Sequence, residues 1–495
     1  MRERLNSALS ESICQYISGP AIAADHLRSF YNMADSNMAH VLMLQKQKII
    51  DQESAVILLR TLWDLYCQGP SCLTLDPKRE DYYFNVESYV ISKAGREIGG
   101  KLHTARSRND LGAALSRMNT RDKVVQLLDM TIALQSAILL RGEDLTDQVV
   151  TGYTHMQPAQ PISLGFYLSA VAAALDRDIE RLQDAYTRLN YSSLGACAFA
   201  GTSFPVDRAG VAEDLGFYGP VINCLDAVAA RDYMQEIAAD LTILGTNLNR
   251  FVTDLYFWST DEFGYIEIDD SLSAVSSIMP QKKNPISLEH VRAKTAHLLA
   301  SFVSITTALK GIPYGHNREC GVESGYLFWA ACAPMEAILV VLREIVVTSS
   351  FKCDKMEKNV DANFCTVTEL ADILVKKEGI PFRTAHEIVS YTVRSCIKEG
   401  HTAADFSPTI LDKAAVLLAG RHLHWSEEEL RQVLSAKDSV RGKTCYGGPS
   451  PSTCGEMLAK QMKDNRRARS WLDDQTAALA QARERLHGQV REALV

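Results

Sequence analysis

Apolar residues recur in steps of three and four through the middle of this chain. Leu127, Met130, Leu134, Ala137 and Ile138 make one stripe, and Leu168, Val171, Leu175, Ile179 and Leu182 make another. Ile237, Leu241, Leu244, Leu248, Phe251 and Leu255 continue the pattern, as do Leu288, Val291, Thr295, Leu298, Phe302, Ile305 and Leu309. Such steps put each set on one face of a helix. Sustained over many turns, at an average near 3.5, they suit long helices packed side by side at shallow angles. No convincing run alternates with the period of a strand, and no internal repeat or low-complexity tract is evident. The expectation is an all-α chain around a long helix bundle. With 495 residues and 46% hydrophobic content, the core can be large.

Boundaries follow from where the pattern changes. The first hundred residues mix short helical patterns with polar breaks, ending at Gly99-Gly100. Long helices are expected from about 106 to 357, and shorter elements after that. The division is therefore 1–105, an N-terminal helical domain, 106–357, a central bundle, and 358–495, a C-terminal helical domain. Pro334 falls within the apolar pattern 326–348 and predicts a kink. Ser426 and Glu429 form a capping box, with Trp425 outside it as a hydrophobic staple. Residues 442–455, rich in Gly, Pro, Ser and Thr, read as a loop.

Several function classes are disfavoured. A net charge of −8 offers no electrostatic footprint for nucleic acid or an anionic membrane. No uncharged apolar run reaches about 18 residues, so no membrane span is expected. The start (Arg2, Glu3, Arg4, Asn6) lacks the apolar core of a signal peptide. The twelve cysteines are scattered, and Cys67 and Cys72 have no histidine cluster beside them. Neither a disulfide framework nor a zinc site is expected, and a reducing cytoplasm fits best.

Three polar strings carry the chemistry. Residues 276–285 read Ser-Ser-Ile-Met-Pro-Gln-Lys-Lys-Asn-Pro. The proline stops a helix and pushes its predecessor out of helical geometry, so an exposed loop is expected. Its hydroxyl, ammonium and amide groups suit holding a carboxylate while a proton leaves the neighbouring carbon. Residues 103–110 read His-Thr-Ala-Arg-Ser-Arg-Asn-Asp before a long helix. Ser107, Arg108 and Asn109 there can bind a carboxylate through side chains and free N–H groups. Residues 152–161 read Gly-Tyr-Thr-His-Met-Gln-Pro-Ala-Gln-Pro. His155 beside Thr154 suits an acid or an anion contact, and Glu289 is a candidate to orient it.

In this order the three strings resemble the signature blocks of the argininosuccinate lyases, within the fumarase/aspartase superfamily. Weaker echoes at Gly201 to Arg208, Pro381 to His386 and Ser439 to Gly448 extend the resemblance over nearly the whole chain. It implies a three-domain, mostly helical fold and a homotetramer whose active sites each draw on three subunits. It also implies cleavage of a C–N or C–O bond in a succinyl-type substrate, releasing fumarate, with no metal or organic cofactor. By resemblance Ser276 is the base. Lys282 and Asn284 hold the carboxylate that becomes an aci-carboxylate, and Met279 belongs to the same substrate-binding string. Ser107, Arg108 and Asn109 clamp substrate carboxylates. Thr154 and His155 come from a neighbouring subunit, and Glu289 orients His155.

Departures from the family pattern cluster around the amino-acid half of argininosuccinate. The family's Glu-Asp-x-His reads Glu80-Asp81-Tyr82-Tyr83. Its Tyr-Asn-Arg-Asp-x-Gln-Glu-Asp-Lys run reads His316 to Ser324, so His316, Gly321 and Ser324 replace tyrosine, glutamine and lysine. Leu111 stands for a glutamine and Val275 for a glycine. The aspartate of Ser-Ile-x-x-Asp would align near Asp25 or His26. The expectation is a lyase giving fumarate and an amine from an N-substituted L-aspartate, of the ethylenediamine-disuccinate lyase type. The alternative is an argininosuccinate lyase releasing arginine. A non-catalytic role on this scaffold, as in lens δ-crystallins, is disfavoured by intact Ser276, Lys282, Asn284 and His155.

Overall fold

The computed structural model describes residues 6–362 and 364–495; Arg2, Glu3 and Arg4 lie outside them. The helices used below are α1 (Gly19–Lys46), α2 (Gln52–Gln68), α3 (Tyr82–Ala94), α4 (Arg108–Glu143), α5 (Leu164–Leu189), α6 (Asp232–Trp258), α7 (Ile286–Leu309), α8 (Ser324–Thr348), α9 (Val367–Glu378), α10 (Phe382–Lys398), α11 (Pro408–Ala419), α12 (Glu427–Leu434) and α13 (Pro451–Ala493). Helices α4 to α8 pack on one another, α4 on α5, α5 on α6, α6 on α7, α7 on α8, and α8 back on α4. Their shared core contains the apolar stripes read from the sequence, including Leu127, Leu134, Leu168, Leu175, Leu241, Leu248, Leu298 and Ile305. Each such fully buried leucine or isoleucine contributes about 1.5–3 kcal/mol of transfer free energy. This is the mostly helical, multi-domain fold that the resemblance implies.

Two further cores flank the bundle. One gathers α1, α2 and α3 with Leu111, Leu115 and Met118 of α4 and with Leu486 and Val490 of α13. The other joins α9 to α12 around Leu374, Ile388, Leu411 and Leu430. The capping box at Ser426 forms as read: its hydroxyl accepts from Glu429 N–H, and Glu429 accepts from Ser426 N–H. Trp425 and Leu430 share this core, as a staple requires.

Three expectations are corrected. The elements after 357 are not all short, because α13 spans 43 residues and packs against α4 and α5. The loop expected over 442–455 ends at Ser450. Ser450 caps the helix through its hydroxyl, and Pro451 occupies the first turn, where its missing N–H has no partner to lose. The region 149–163 forms a hairpin although no strand was expected: β1 (Val149–Thr154) pairs antiparallel with β2 (Gln157–Ser163). Its two prolines sit where alternation is hard to read, so its period was hidden. Helix α8 continues through Pro334. Helix α4 is long and apolar enough to cross a membrane by length and composition, yet over half of that stretch is buried inside the protein.

Candidate active site

The 276–285 string is an exposed loop, as expected, but it is organised. β3 (Ala274–Val275) and β4 (Lys283–Asn284) pair antiparallel and pinch its base. Inside the loop the Ser276 hydroxyl oxygen accepts N–H groups from Ile278 at 3.4 Å and Met279 at 3.0 Å. Lys282 N–H donates to Met279 C=O at 3.1 Å, closing a turn. Both N–H dipoles therefore point at the oxygen that would carry negative charge as an alkoxide, which is how oxyanions are stabilised in acyl-transfer enzymes.

The two adjacent lysines divide their work. The Lys283 ammonium lies 2.7 Å from Asp270 and 3.1 Å from Glu267, and these partners hold its pKa above the usual lysine range. Among the described residues no hydrogen bond or ion pair engages the Lys282 ammonium. Lys283 ties the loop down, and Lys282 keeps an unpaired charge on the same loop.

The second string forms the start of α4. Ser107 is its N-cap, accepting from Asn109 N–H at 3.2 Å, and Asp110 accepts from Ser107 N–H at 3.0 Å. Asp110 is the residue whose importance went unread. It is fully buried, and its carboxylate also collects N–H groups from Leu111, Gly195 and Cys197 at 2.9–3.0 Å. Burial pushes its pKa up to about 6 against the pull of those donors. The spacing of Ser107 and Asp110, a capping box, was the available signal. Arg108 bonds Asp81 at 2.7 Å and Glu80 at 3.4 Å and lies 4.2 Å over the Phe84 ring. The Asn109 amide donates to Ala198 C=O at 3.1 Å.

Thr154 and His155 are exposed at the tip of the hairpin, not directly before a helix. His155 and Met156 both take left-handed backbone, with φ of 52° and 59°. Two successive positive φ values are what a two-residue hairpin turn of the primed type needs, at a cost of order 1–3 kcal/mol for each non-glycine residue. Glu289 is exposed in the first turn of α7 and accepts from the Tyr256 hydroxyl at 3.4 Å. Among the described residues no hydrogen bond or ion pair joins it to His155.

Beside the start of α4 opens a cavity of about 460 Å³. Arg108 and Asn109 line it; Ser107, Ser276, Met279, Lys282, Asn284, Thr154, His155 and Glu289 do not. One chain therefore brings part of the second string to the cavity and leaves the other two strings elsewhere. Its lining also includes Asp25, Arg28, His316, Arg318, Gly321 and Tyr326. So Asp25, whose alignment the sequence left between two positions, does face this space. Its carboxyl is open to the cavity yet enclosed by protein. Burial lifts its pKa to about 6, opposed by Arg28 and Arg318 and reinforced by Asp81. Burial, with Arg231 and Arg108 nearby, lowers the pKa of His316 and favours the neutral imidazole. Ser324 is a correction: it is buried in α8, its hydroxyl donating to Cys320 C=O at 2.8 Å, and it does not line the cavity. A serine at the start of a helix turns back to the carbonyl four residues earlier when nothing polar faces it. Beneath the cavity, the Tyr83 hydroxyl meets His103 Nδ1 at 2.8 Å and Glu87 at 3.2 Å. Burial pushes His103 down to about 4, with Arg106 and Arg108 acting in the same direction. Among the described residues no group of His, Cys, Asp and Glu side chains is placed to hold a metal ion.

Comparison with known proteins agrees with this anatomy. A family model described as "Lyase" matches residues 73–299, and one described as "Argininosuccinate lyase C-terminal" matches residues 364–441. An argininosuccinate lyase from Methanocorpusculum labreanum is 39% identical over 467 residues, 93% of this chain and 91% of the relative. Argininosuccinate lyase 1 from Shouchella clausii is 35% identical over 455 residues, 92% of this chain and 91% of the relative. The crystal structure of EDDS lyase with formate superposes with a TM-score of 0.87 at 30% identity, covering 99% of this chain and 97% of that one. A class II fumarase from Schistosoma mansoni shares the fold, with a TM-score of 0.67 at 16% identity over 83% of this chain and 90% of that one. The chain belongs to the argininosuccinate lyase family of the fumarase/aspartase superfamily and is a carbon–nitrogen lyase.

Proposed function

We propose that the protein reversibly eliminates fumarate from an N-substituted L-aspartate and releases an amine other than arginine. The observation that carries this reading is the Ser276 hydroxyl, held in two backbone N–H bonds within the loop that also carries the unpaired Lys282. Serine is a poor base at its free pKa, so the two N–H donors and the lysine charge supply the stabilisation its alkoxide needs. Ser276 takes the proton from the carbon next to the carboxylate. The electron pair passes into that carboxylate, giving an aci-carboxylate held by Lys282 and Asn284, with Met279 in the same string. Collapse of that intermediate forms the fumarate double bond and breaks the C–N bond. Ser107, Arg108 and Asn109 bind substrate carboxylates, and Thr154 with His155 completes the site, Glu289 orienting His155. The small-dicarboxylate side of this proposal is supported by the likeness to an EDDS lyase variant with bound fumarate.

The separation of the three strings within one chain supports a homotetramer with sites shared between subunits. So do apolar side chains left exposed on the bundle helices, among them Leu140, Ile243, Leu299, Val303, Val340 and Val347. A cytoplasmic location is part of the same proposal. The second reading, argininosuccinate cleavage to arginine, is favoured by the 35–39% identity to argininosuccinate lyases. The deciding experiment is reverse addition, fumarate with a panel of amines including arginine, with products identified by mass spectrometry. An N-substituted aspartate is expected from an amine other than arginine, and Ser276→Ala should abolish its formation while leaving the fold intact. Arginine as the preferred amine would replace the first reading with the second. An active Ser276→Ala variant would move the base elsewhere.

A further inference from the structure

We infer that Tyr83 is a positioning residue for the carboxylate-binding string: it clamps the strained turn at 103–106 and so sets where Ser107, Arg108 and Asn109 present their donors. The inference rests on the lyase reading above, in which those three residues bind substrate carboxylates. The turn needs holding. Ala105 takes left-handed backbone, with φ of 56°. A Cβ disfavours that conformation, which persists only where the surroundings over-determine it. Inside the turn, Thr104 N–H donates to Lys101 C=O at 3.1 Å and Arg106 N–H to His103 C=O at 3.3 Å, the second bond being long. From α1, His40 Nε2 meets Thr104 C=O at 2.9 Å.

Tyr83 grips this turn on both sides of Ala105. It is buried in α3 and lines the cavity beside α4. Its hydroxyl donates to Glu87 at 3.2 Å, meets His103 Nδ1 at 2.8 Å and accepts from Arg106 Nη2 at 3.4 Å. A phenol has one proton. With that proton on the Glu87 bond its oxygen accepts, so His103 carries its hydrogen on Nδ1. The Tyr83 ring also lies 5.4 Å from the Arg106 guanidinium. Arg106 is buried, and among the described residues its Nε and Nη1 have no hydrogen-bond partner. The ring and oxygen of Tyr83, with Leu102 C=O at 3.3 Å, therefore face that charge. The same turn of α3 holds the residue that follows Ser107: Asp81 bonds Arg108 at 2.7 Å, and the Phe84 ring lies 4.2 Å from its guanidinium. The family pattern reads histidine at 83, so the phenol clamp is a feature of this chain.

The test is made on the full-length enzyme in the reverse reaction, fumarate with the preferred amine, and its readout is KM. A merely structural loss changes the folded fraction of a sample, which lowers kcat and leaves KM alone. Tyr83→Phe keeps the ring and removes the oxygen. The KM for fumarate should rise by about tenfold or more, while kcat and the KM for the amine stay within about threefold of wild type. Ala105→Gly removes the strain, because glycine takes left-handed backbone freely. Added to Tyr83→Phe, it should bring the fumarate KM back to within about threefold of wild type. An unchanged fumarate KM in Tyr83→Phe, a loss confined to kcat, an equal rise in both KM values, or no recovery with glycine overturns the inference and leaves the lyase reading standing. Should Tyr83→Phe not fold, His103→Gln removes the imidazole from the same bond, and the same rise and the same rescue are expected. An unchanged fumarate KM there overturns the inference equally. No C–N bond formation by the wild-type enzyme with any amine overturns the lyase reading itself, and the inference with it.

Discussion

The imidazole of His316 occupies the space that a side chain at Gly321 would need. A Cβ placed on Gly321 would lie 2.7 Å from His316 Cε1 and 3.3 Å from Nε2. Gly321 sits in a turn of π-helix over Glu319–Glu323, its N–H donating to Asn317 C=O at 2.8 Å, which brings positions 316 and 321 together. The tyrosine-to-histidine and glutamine-to-glycine departures from the family pattern are thus one change. The smaller residue at 321 lets a ring from 316 lean across the cavity wall, where a longer polar side chain would otherwise project.

That coupling is measurable. Gly321→Ala should swing His316 aside and lower kcat/KM for the preferred amine by about tenfold. His316→Ala should cost a similar amount, and the double variant little more than either single one. A double-mutant cycle on kcat/KM is expected to give a coupling of about 1 kcal/mol or more. Additive losses would mean that the two positions act separately.

The two lysines of the loop should separate cleanly. Lys282→Met removes a charge next to the developing aci-carboxylate, and kcat should fall by about 10²–10³, as for loss of an oxyanion donor. Lys283→Met breaks only exposed ion pairs, each worth about 0.2–1 kcal/mol, so its kcat/KM should stay within about tenfold of wild type. Steady-state kinetics of both variants, with loop integrity followed by limited proteolysis, checks the assignment. A larger loss at Lys283 would reverse it.

Asp25 gives a pH signature in stability. Its folded pKa of about 6 lies above the unfolded value near 3.9, so the folded protein holds this proton more tightly. Keeping the carboxyl charged costs stability, fully above pH 6, and the cost disappears as pH falls below about 4. Arg28 and Arg318 pull the pKa down and Asp81 pushes it up, so the window depends on all three. Asp25→Asn mimics the protonated form. It should raise the melting temperature at pH 8, and the gain should vanish near pH 4. An unchanged or lower melting temperature at pH 8 would show that the charge is compensated.

Argininosuccinate should be a poor substrate. His316 leans across the cavity wall and Ser324 is turned into α8, so the tyrosine and the lysine that the family pattern has at 316 and 324 have no counterparts there. Direct comparison of kcat/KM with the best amine from the reverse screen, each in its own direction, measures this. A value for argininosuccinate of about 10⁴ M⁻¹s⁻¹ or more, an ordinary enzymatic efficiency, would favour the argininosuccinate reading.

Helical stripes such as Leu241, Leu244, Leu248 and Phe251 were legible because burying one helix face dictates a period that few other structures share. The capping box at Ser426 was legible for the same reason: both partners lie within one turn. The 149–163 hairpin and the long α13 were not legible. Prolines and a polar tip mask a strand's alternation, and a Gly/Pro/Ser loop running into Ser450-Pro451 looks the same whether a short or a long helix follows.

By itself the sequence determined the long-helix bundle, the three polar strings and the chemistry those strings can perform, because periodicity and residue type are local properties. Only the tertiary structure decided that Lys283 is tied down while Lys282 is free, that Asp110 gathers four N–H groups, and that Ser324 faces inward. It also decided that Asp25, Arg28 and Arg318 meet His316 across one cavity. The last of these relates side chains from segments nearly three hundred positions apart. Their shared burial and charge environment come into being only when helix packing brings those segments together.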